Sequence, residues 1–440
     1  MKTNLQYATL IALVSALTAC GGSGGSGGGA VSSSSVASES SSSVSSVSSN
    51  SESSNSESSN SESSSSESSS ESSASESSSS DAANTNPWQV STEHLYQHAS
   101  FPVGVAVSAG NESYSLFADS AAGEKRRDIV TTHFSNMTAG NIMKMSYLQP
   151  NEGQFTFANA DELVNFAATN GQTIHGHVLV WHSDYQVPGW MKNYTGDWET
   201  MLRAHINGVV THFAADGTVP SWDVVNEAFN DDGSYRDGDS VFYQNMGEGY
   251  IEIAFDEARK ADPNAELYYN DYSLAQGGAK LNAVLAMAED FIARDVPIDG
   301  IGFQGHIQID WPSTSAMEQS FAAAAATGLK VRLTELDIPL NNPYSRGYDY
   351  PGNYEAEFTA ELAAKQKRRY CEVVTAYMKA VPEAQRGGVS VWGIEDPSSW
   401  LISLLFENQH NDWPLLFDAD YHAKPALDGV ADALSGQPCS

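Results

Sequence analysis

The feature that most restricts the fold is a rhythm: from Phe101 to the C-terminus, short apolar runs alternate with longer amphipathic stretches. Eight runs read as strands: Pro102–Val107, Asn141–Lys144, Thr173–Trp181, Trp222–Asn226, Glu266–Asn270, Gly300–Gln304, Lys330–Thr334 and Val389–Trp392. Between them the three-and-four spacing of a buried helix face is plain in Trp198, Met201, Leu202, His205, Ile206, Val209, Val210 and Phe213. It recurs in Leu281, Val284, Leu285, Ala288, Phe291 and Ile292. Eight strands, each followed by a helix, in roughly 350 residues predict a (β/α)8 TIM barrel. An open doubly wound sheet usually carries a glycine-rich phosphate turn after its first strand, and Gly104 and Gly110 do not make one.

The segment ahead of this domain is of another kind. Lys2 precedes an apolar stretch, Ala8 to Leu17, that is too short to span a bilayer as a helix and reads as an export signal. It ends in Leu17-Thr18-Ala19-Cys20, which resembles a bacterial lipoprotein box, with Cys20 the residue to be lipidated. Gly21 in place of aspartate points to an outer-membrane, surface-exposed lipoprotein, or to a secreted protein if Cys20 is not lipidated. Residues 21–86 are glycine-rich and then almost all serine, too poor in apolar surface to order, so they are expected to form a flexible, disordered linker to a domain at 87–440.

The formal net charge of −33 argues against nucleic acid and anionic membrane surfaces as partners. The chain is expected to touch a membrane only through its N-terminal lipid and to act as a monomer. With Cys20 assigned to lipid, Cys371 and Cys439 are left, and their pairing stays open at this level.

Polar groups at the C-terminal ends of barrel strands are functional candidates first. The fourth strand runs into Asn226-Glu227 and the seventh into Glu335-Leu336-Asp337, 108 residues apart from Glu227 to Glu335 (335 minus 227), which is three units of 36. Paired carboxylates at a barrel mouth suit glycoside hydrolysis, in which one protonates the leaving oxygen and the other attacks the anomeric carbon from about 5 to 5.5 Å away. An ion-paired rim is the competing reading of either motif alone. His177 and Trp181 share a parity on the third strand, as do Gln304 with His306 and Glu335 with Asp337. A histidine on Glu335, oriented by Asp337, would favour the charged form a nucleophile needs. Trp181, Trp392 and Trp400 offer flat faces on which sugar rings stack, although a lone tryptophan is by default a core residue.

Six blocks then resemble, in order and over essentially the whole domain, the signatures of glycoside hydrolase family 10, the endo-β-1,4-xylanases. They are His177-Val178-Leu179-Val180-Trp181-His182, Trp222-Asp223-Val224-Val225-Asn226-Glu227, Asn270-Asp271-Tyr272, Gly302-Phe303-Gln304-Gly305-His306, Thr334-Glu335-Leu336-Asp337-Ile338 and Pro414-Leu415-Leu416-Phe417-Asp418. The resemblance implies a retaining enzyme with Glu227 as acid/base, Glu335 as nucleophile and Asn226 on the sugar 2-hydroxyl. It implies that Lys144, His177, Trp181, Gln304, His306 and Trp392 complete that subsite, with Asn141 and Trp400 reaching neighbouring sugars or closing the cleft, and that the partners are xylan and xylo-oligosaccharides. Two carboxylates and a water suffice, so no metal or organic cofactor is expected. The other readings are a β-glucan-active relative and a non-catalytic polysaccharide-binding surface protein.

Two departures from the family pattern stand out. Where the family has Glu-Asn-x-x-Lys, this chain has Gly140-Asn141-Ile142-Met143-Lys144, which predicts a weakened second glycone site, or room for a side-chain substituent or for a different approach by nearby Tyr147. The stretch from Pro339 to Tyr354 is long and carries Tyr344, Tyr348, Tyr350 and Tyr354, so it is expected to wall the cleft.

Overall fold

A computed structural model describes residues 86–215, 217–341, 355–402 and 411–440. The leader with Cys20, the serine-rich tether and the loop tyrosines 344, 348, 350 and 354 lie outside the described residues.

Eight parallel strands close into a barrel in sequence order: β1 (Val103–Val107), β2 (Asn136–Ala139), β3 (Thr173–Trp181), β4 (Ser221–Asn226), β5 (Glu266–Asp271), β6 (Gly300–Phe303), β7 (Lys330–Leu336) and β8 (Arg386–Val391). β8 pairs back to β1 through Val103–Val389 and Val105–Val391, leaving no free edge. One long helix follows each strand: α1 (Ala121–His133), α2 (Ala158–Thr169), α3 (Trp198–Phe213), α4 (Gly249–Ala261), α5 (Ala279–Ala293), α6 (Thr314–Ala326), α7 (Ala360–Ala380) and α8 (Pro425–Leu434). The predicted TIM barrel is the observed fold.

The two helices read from periodicity match α3 and α5. Met201, Leu202, His205, Ile206, Val209, Val210 and Phe213 of α3 are buried, whereas Ile292, read as part of the α5 face, is exposed at the end of its helix. Side-chain caps start several helices, with Ser120, Asp197, Ser313 and Thr359 each accepting from a backbone N–H three residues on.

The second strand was misplaced by the apolar pattern. It is Asn136–Ala139, and Asn141–Lys144 instead forms the turn that follows it. Asn136 bonds Thr173 Oγ1 at 2.9 Å and accepts from Arg332 Nη2 at 2.6 Å. A strand whose side chains serve this buried polar network does not read as an apolar run, while Ile142 and Met143 are buried from a turn.

Cys371 on α7 is joined to Cys439, which ties the C-terminal tail to the helix layer. Their separation of 68 residues closes a loop long enough for the bond to contribute on the order of 2–4 kcal/mol. Among the described residues no helix is long and apolar enough to cross a membrane.

Candidate active site

The loops at the C-terminal ends of the strands enclose one cleft, and eleven residues expected at the site from sequence line it: Asn141, Lys144, His177, Trp181, Asn226, Glu227, Gln304, His306, Glu335, Trp392 and Trp400. Asp337 lies under the floor, fully buried.

Glu227 leaves β4 in a left-handed conformation, φ 57°. Such a backbone is unfavourable for a side chain with a Cβ and is held from both sides. The Glu227 N–H donates to the Asn270 carbonyl at 2.9 Å, and Arg236 Nε donates to the Glu227 carbonyl at 2.8 Å. The carboxylate accepts from Trp181 Nε1 at 3.0 Å and from Gln304 Nε2 at 2.8 Å. Glu335 accepts from Asn270 Nδ2 at 2.9 Å and faces His306 Nε2 at 3.4 Å.

The two acids are joined through three amides. Gln304 reaches from Glu227 to Asn226 Oδ1 at 3.4 Å, and Asn270 reaches from Asn226 Oδ1 at 3.0 Å to Glu335. Because the Asn226 oxygen is taken by these two donors, its Nδ2 is left as a donor for the cleft. Thr334 Oγ1 donates to Asn270 Oδ1 at 2.7 Å and so fixes which end of that amide faces Glu335. Gly302 on β6 makes this arrangement possible, since a Cβ there would stand 2.5 Å from Asn270 Oδ1.

Charge is arranged around these groups. His306 is pushed up to about 10: burial alone would lower it, but Asp337 at 3.0 Å and Glu335 outweigh burial, so an imidazolium sits between two acids at neutral pH. Trp400 Nε1 donates to the same Asp337 oxygen at 2.9 Å. Burial pulls Lys144 down to about 8 against the opposing attraction of Glu335, Glu112 and Glu227, and its ammonium lies 4.9 Å from the centre of the Trp181 ring. Burial would raise the Glu227 carboxyl, yet His182, Arg236, the Gln304 amide and Lys280 together hold it below its ordinary value. His182 is itself pushed down to about 4 by burial, so above that pH the pull rests on the other three. His177 Nδ1 lies 2.9 Å from Asp223 Oδ2, which fixes the ring beside Trp392, 5.5 Å away between centroids.

Several residues in contact with this machinery were not singled out from sequence. Asn270 was seen only as part of a block, and its contact with Glu335 follows from its position at the end of β5. Arg236 comes from the β4–α4 connection, and the stretch around it carries no pattern that marks it. Glu112, in the loop after β1, accepts from Asn141 Nδ2 at 2.7 Å, while Lys144 Nζ donates to Asn141 Oδ1 at 3.1 Å. The amide of Asn141 is thus spanned between a carboxylate and an ammonium.

The model of glycosyl hydrolase family 10 matches residues 91–433. This chain belongs to that family. It is 46% identical over 366 residues to endo-beta-1,4-xylanase Xyn10C of Cellvibrio japonicus, a match covering 80% of this chain and 59% of that protein. It is 44% identical to endo-1,4-beta-xylanase A of Cellvibrio japonicus (strain Ueda107), over 77% of this chain and 56% of that one. This family 10 chain therefore spans less than three fifths of the length of these two curated relatives. Among solved structures, native xylanase10C from Cellvibrio japonicus matches with a TM-score of 0.75 at 46% identity, covering 79% of this chain and 74% of that one. A mutant of the same xylanase in complex with xylopentaose matches equally well, at a TM-score of 0.75.

Proposed function

We propose that this protein is a retaining endo-β-1,4-xylanase in which Glu335 is the nucleophile and Glu227 the acid/base. The observation that carries the reading is the chain of three amides that ties one carboxylate from the end of β4 to another from β7 across a single cleft floor. The names of the family 10 relatives and the xylopentaose complex support xylan as the substrate.

In the first step a Glu335 oxygen attacks the anomeric carbon, the glycosidic bond breaks, and the proton of Glu227 passes to the leaving oxygen. In the second step Glu227 takes a proton from water, the water oxygen attacks the same carbon, and the Glu335 carboxylate departs. Burial is already the largest influence on Glu227, and substrate filling the cleft removes more water, which favours the protonated form required at the start. The free Nδ2 of Asn226 donates to the sugar 2-hydroxyl oxygen, while Lys144, His177 and Trp392 surround the same ring. The His306 imidazolium lies against Glu335, where negative charge returns when the intermediate breaks down.

Digestion of linear xylan, arabinose-substituted xylan and cellulose tests this reading. Internal cleavage of the xylans with a β-configured first product is expected. Equal rates on cellulose would point to a β-glucan enzyme, and an α-configured first product would contradict the double displacement.

The same reading extends to the N-terminus: lipidation of Cys20 tethers the enzyme to the outer membrane through the serine-rich segment. Cys20→Ser is expected to move the protein from the membrane fraction to the medium, and an unchanged membrane fraction would contradict the anchor.

A further inference from the structure

Four of the five large apolar side chains exposed among the described residues are aromatic rings in the connections after strands: Tyr114 after β1, Tyr147 after β2, Tyr185 after β3 and Trp311 after β6. The connections at this end of a barrel carry its binding surface, and of these four rings Tyr114 and Tyr185 line the cleft. Tyr114 differs from the others in how it is held. It is 43% exposed and lines the cleft, yet its φ of 60° is a left-handed value that a bulky residue rarely adopts. Strain of this kind persists where the surroundings over-determine it, and those surroundings are in view.

The loop is closed beside Tyr114 by Leu116 N–H donating to the Ser108 carbonyl at 2.8 Å, with Ser115 and Leu116 buried. The guanidinium of Arg126, from α1, stands 5.3 Å from the centre of the Tyr114 ring and 5.5 Å from that of Tyr421, whose φ of 69° is also left-handed. Arg126 is itself buried and fixed, with Nε 2.8 Å from Glu395 Oε1 and Nη2 2.9 Å from the Tyr421 hydroxyl. A cation locked by a carboxylate and a phenol therefore backs one part of the Tyr114 ring, and the remainder is presented to the cleft. The charge of Arg126 is matched by Glu395, so the surface offered is a neutral aromatic one.

We infer that Tyr114 is a preformed stacking platform for a backbone pyranose of the polysaccharide beyond the two sugars nearest the reacting bond, on the glycone side. The side follows from strand order and rests on reading Glu227 as the proton donor. Glu227 follows β4, beside the leaving group, whereas Tyr114 and Glu395 follow β1 and β8, which neighbour each other and lie across the closed barrel from β4 and β5. A xylopyranose ring has no charge to pair and has C–H faces that pack on an aromatic ring. Holding the ring in place before substrate arrives removes part of the ordering entropy from the binding step.

The test compares the wild-type enzyme with Tyr114→Asn and Tyr114→Phe on linear xylotriose, linear xylohexaose and arabinose-substituted xylan. Asparagine tolerates the left-handed backbone, so that variant removes the ring without adding strain. The expected result for Tyr114→Asn is a KM for xylohexaose raised roughly three- to tenfold with kcat little changed, and xylotriose kinetics unaltered. Tyr114→Phe should behave as wild type on all three substrates, and both variants should unfold at wild-type temperatures. An equal loss on trimer and hexamer, no loss on the hexamer, or a loss confined to arabinose-substituted xylan would each overturn the platform. Failure of the wild-type enzyme to cleave xylotriose or xylohexaose at all would instead count against the xylanase reading itself.

Discussion

Asn270 donates its side-chain amide to Glu335 Oε1 at 2.9 Å, and its carbonyl accepts the backbone N–H of Glu227 at the same distance. One residue of β5 thus holds one acid by its side chain and sets the backbone of the other. Asn270→Ala leaves Glu335 without that donor while the main-chain bond to Glu227 remains. The expected loss in kcat is about ten- to a hundredfold, with KM changed much less, because the donor orients the attacking oxygen and stabilises the carboxylate as its charge returns in the second step. Steady-state kinetics on linear xylan check it, and an equal effect on KM alone would contradict it.

Lys144 is held down to about 8 from the ordinary 10.5 by burial, so its ammonium is lost as pH rises through about 8. If that charge serves substrate binding, kcat/KM falls above this pH, since the profile of kcat/KM reports groups of the free enzyme. Lys144→Arg should carry activity to higher pH than wild type, and Lys144→Met should be weak at every pH. A wild-type profile flat to pH 10 would remove Lys144 from the account.

His306 titrates the other way. Its folded value, about 10, lies above the ordinary 6.5, so its contribution to stability is complete below about 6.5 and is lost as pH rises through about 10. The difference in melting temperature between wild type and His306→Gln should therefore be largest near pH 6 and shrink steadily toward pH 10. A difference independent of pH would mean that the ring is not an imidazolium in the folded state.

Gly140 lines the cleft, and its backbone conformation does not demand glycine. Its φ is not left-handed, and a Cβ there would meet only backbone of Val107, the carbonyl oxygen at 3.3 Å. Gly140→Glu is expected to fold and to increase activity on short xylo-oligosaccharides several-fold by adding a carboxylate on the glycone side. Unchanged rates on xylotriose would dispose of the idea that this glycine weakens that side.

Much of the barrel was legible because burial on both sides of a parallel strand produces apolar runs, and one-sided burial of helices produces a three-and-four period. β2 escaped for the same reason: Asn136 serves a polar network with Thr173 and Arg332, and no apolar run results. In the cleft, most residues read from sequence sit in motif-rich strand ends, as with Gln304 and His306, while Asn141, Lys144 and Trp400 were reached in connections through the family resemblance. Apart from Asn270 at the end of β5, those missed come from connections, where position is set by tertiary packing. Glu112 reaches Asn141 from another loop, Arg236 returns nine residues to bond the Glu227 carbonyl, and Tyr114 depends on an arginine of α1. The Cys371–Cys439 bond, left open by the sequence, needed the proximity of α7 and the tail to decide it.

Trapping the covalent intermediate tests the assignment of the two acids most directly. The enzyme would be treated with a 2-deoxy-2-fluoro-xylobioside carrying a good leaving group, digested with pepsin and mapped by mass spectrometry. One added fluoroxylobiosyl group is expected on the peptide containing Glu335, with the label still formed when Glu227 is replaced by alanine, since an activated leaving group needs no proton. A label on Glu227, or no label in an enzyme that still turns over xylan, would contradict it.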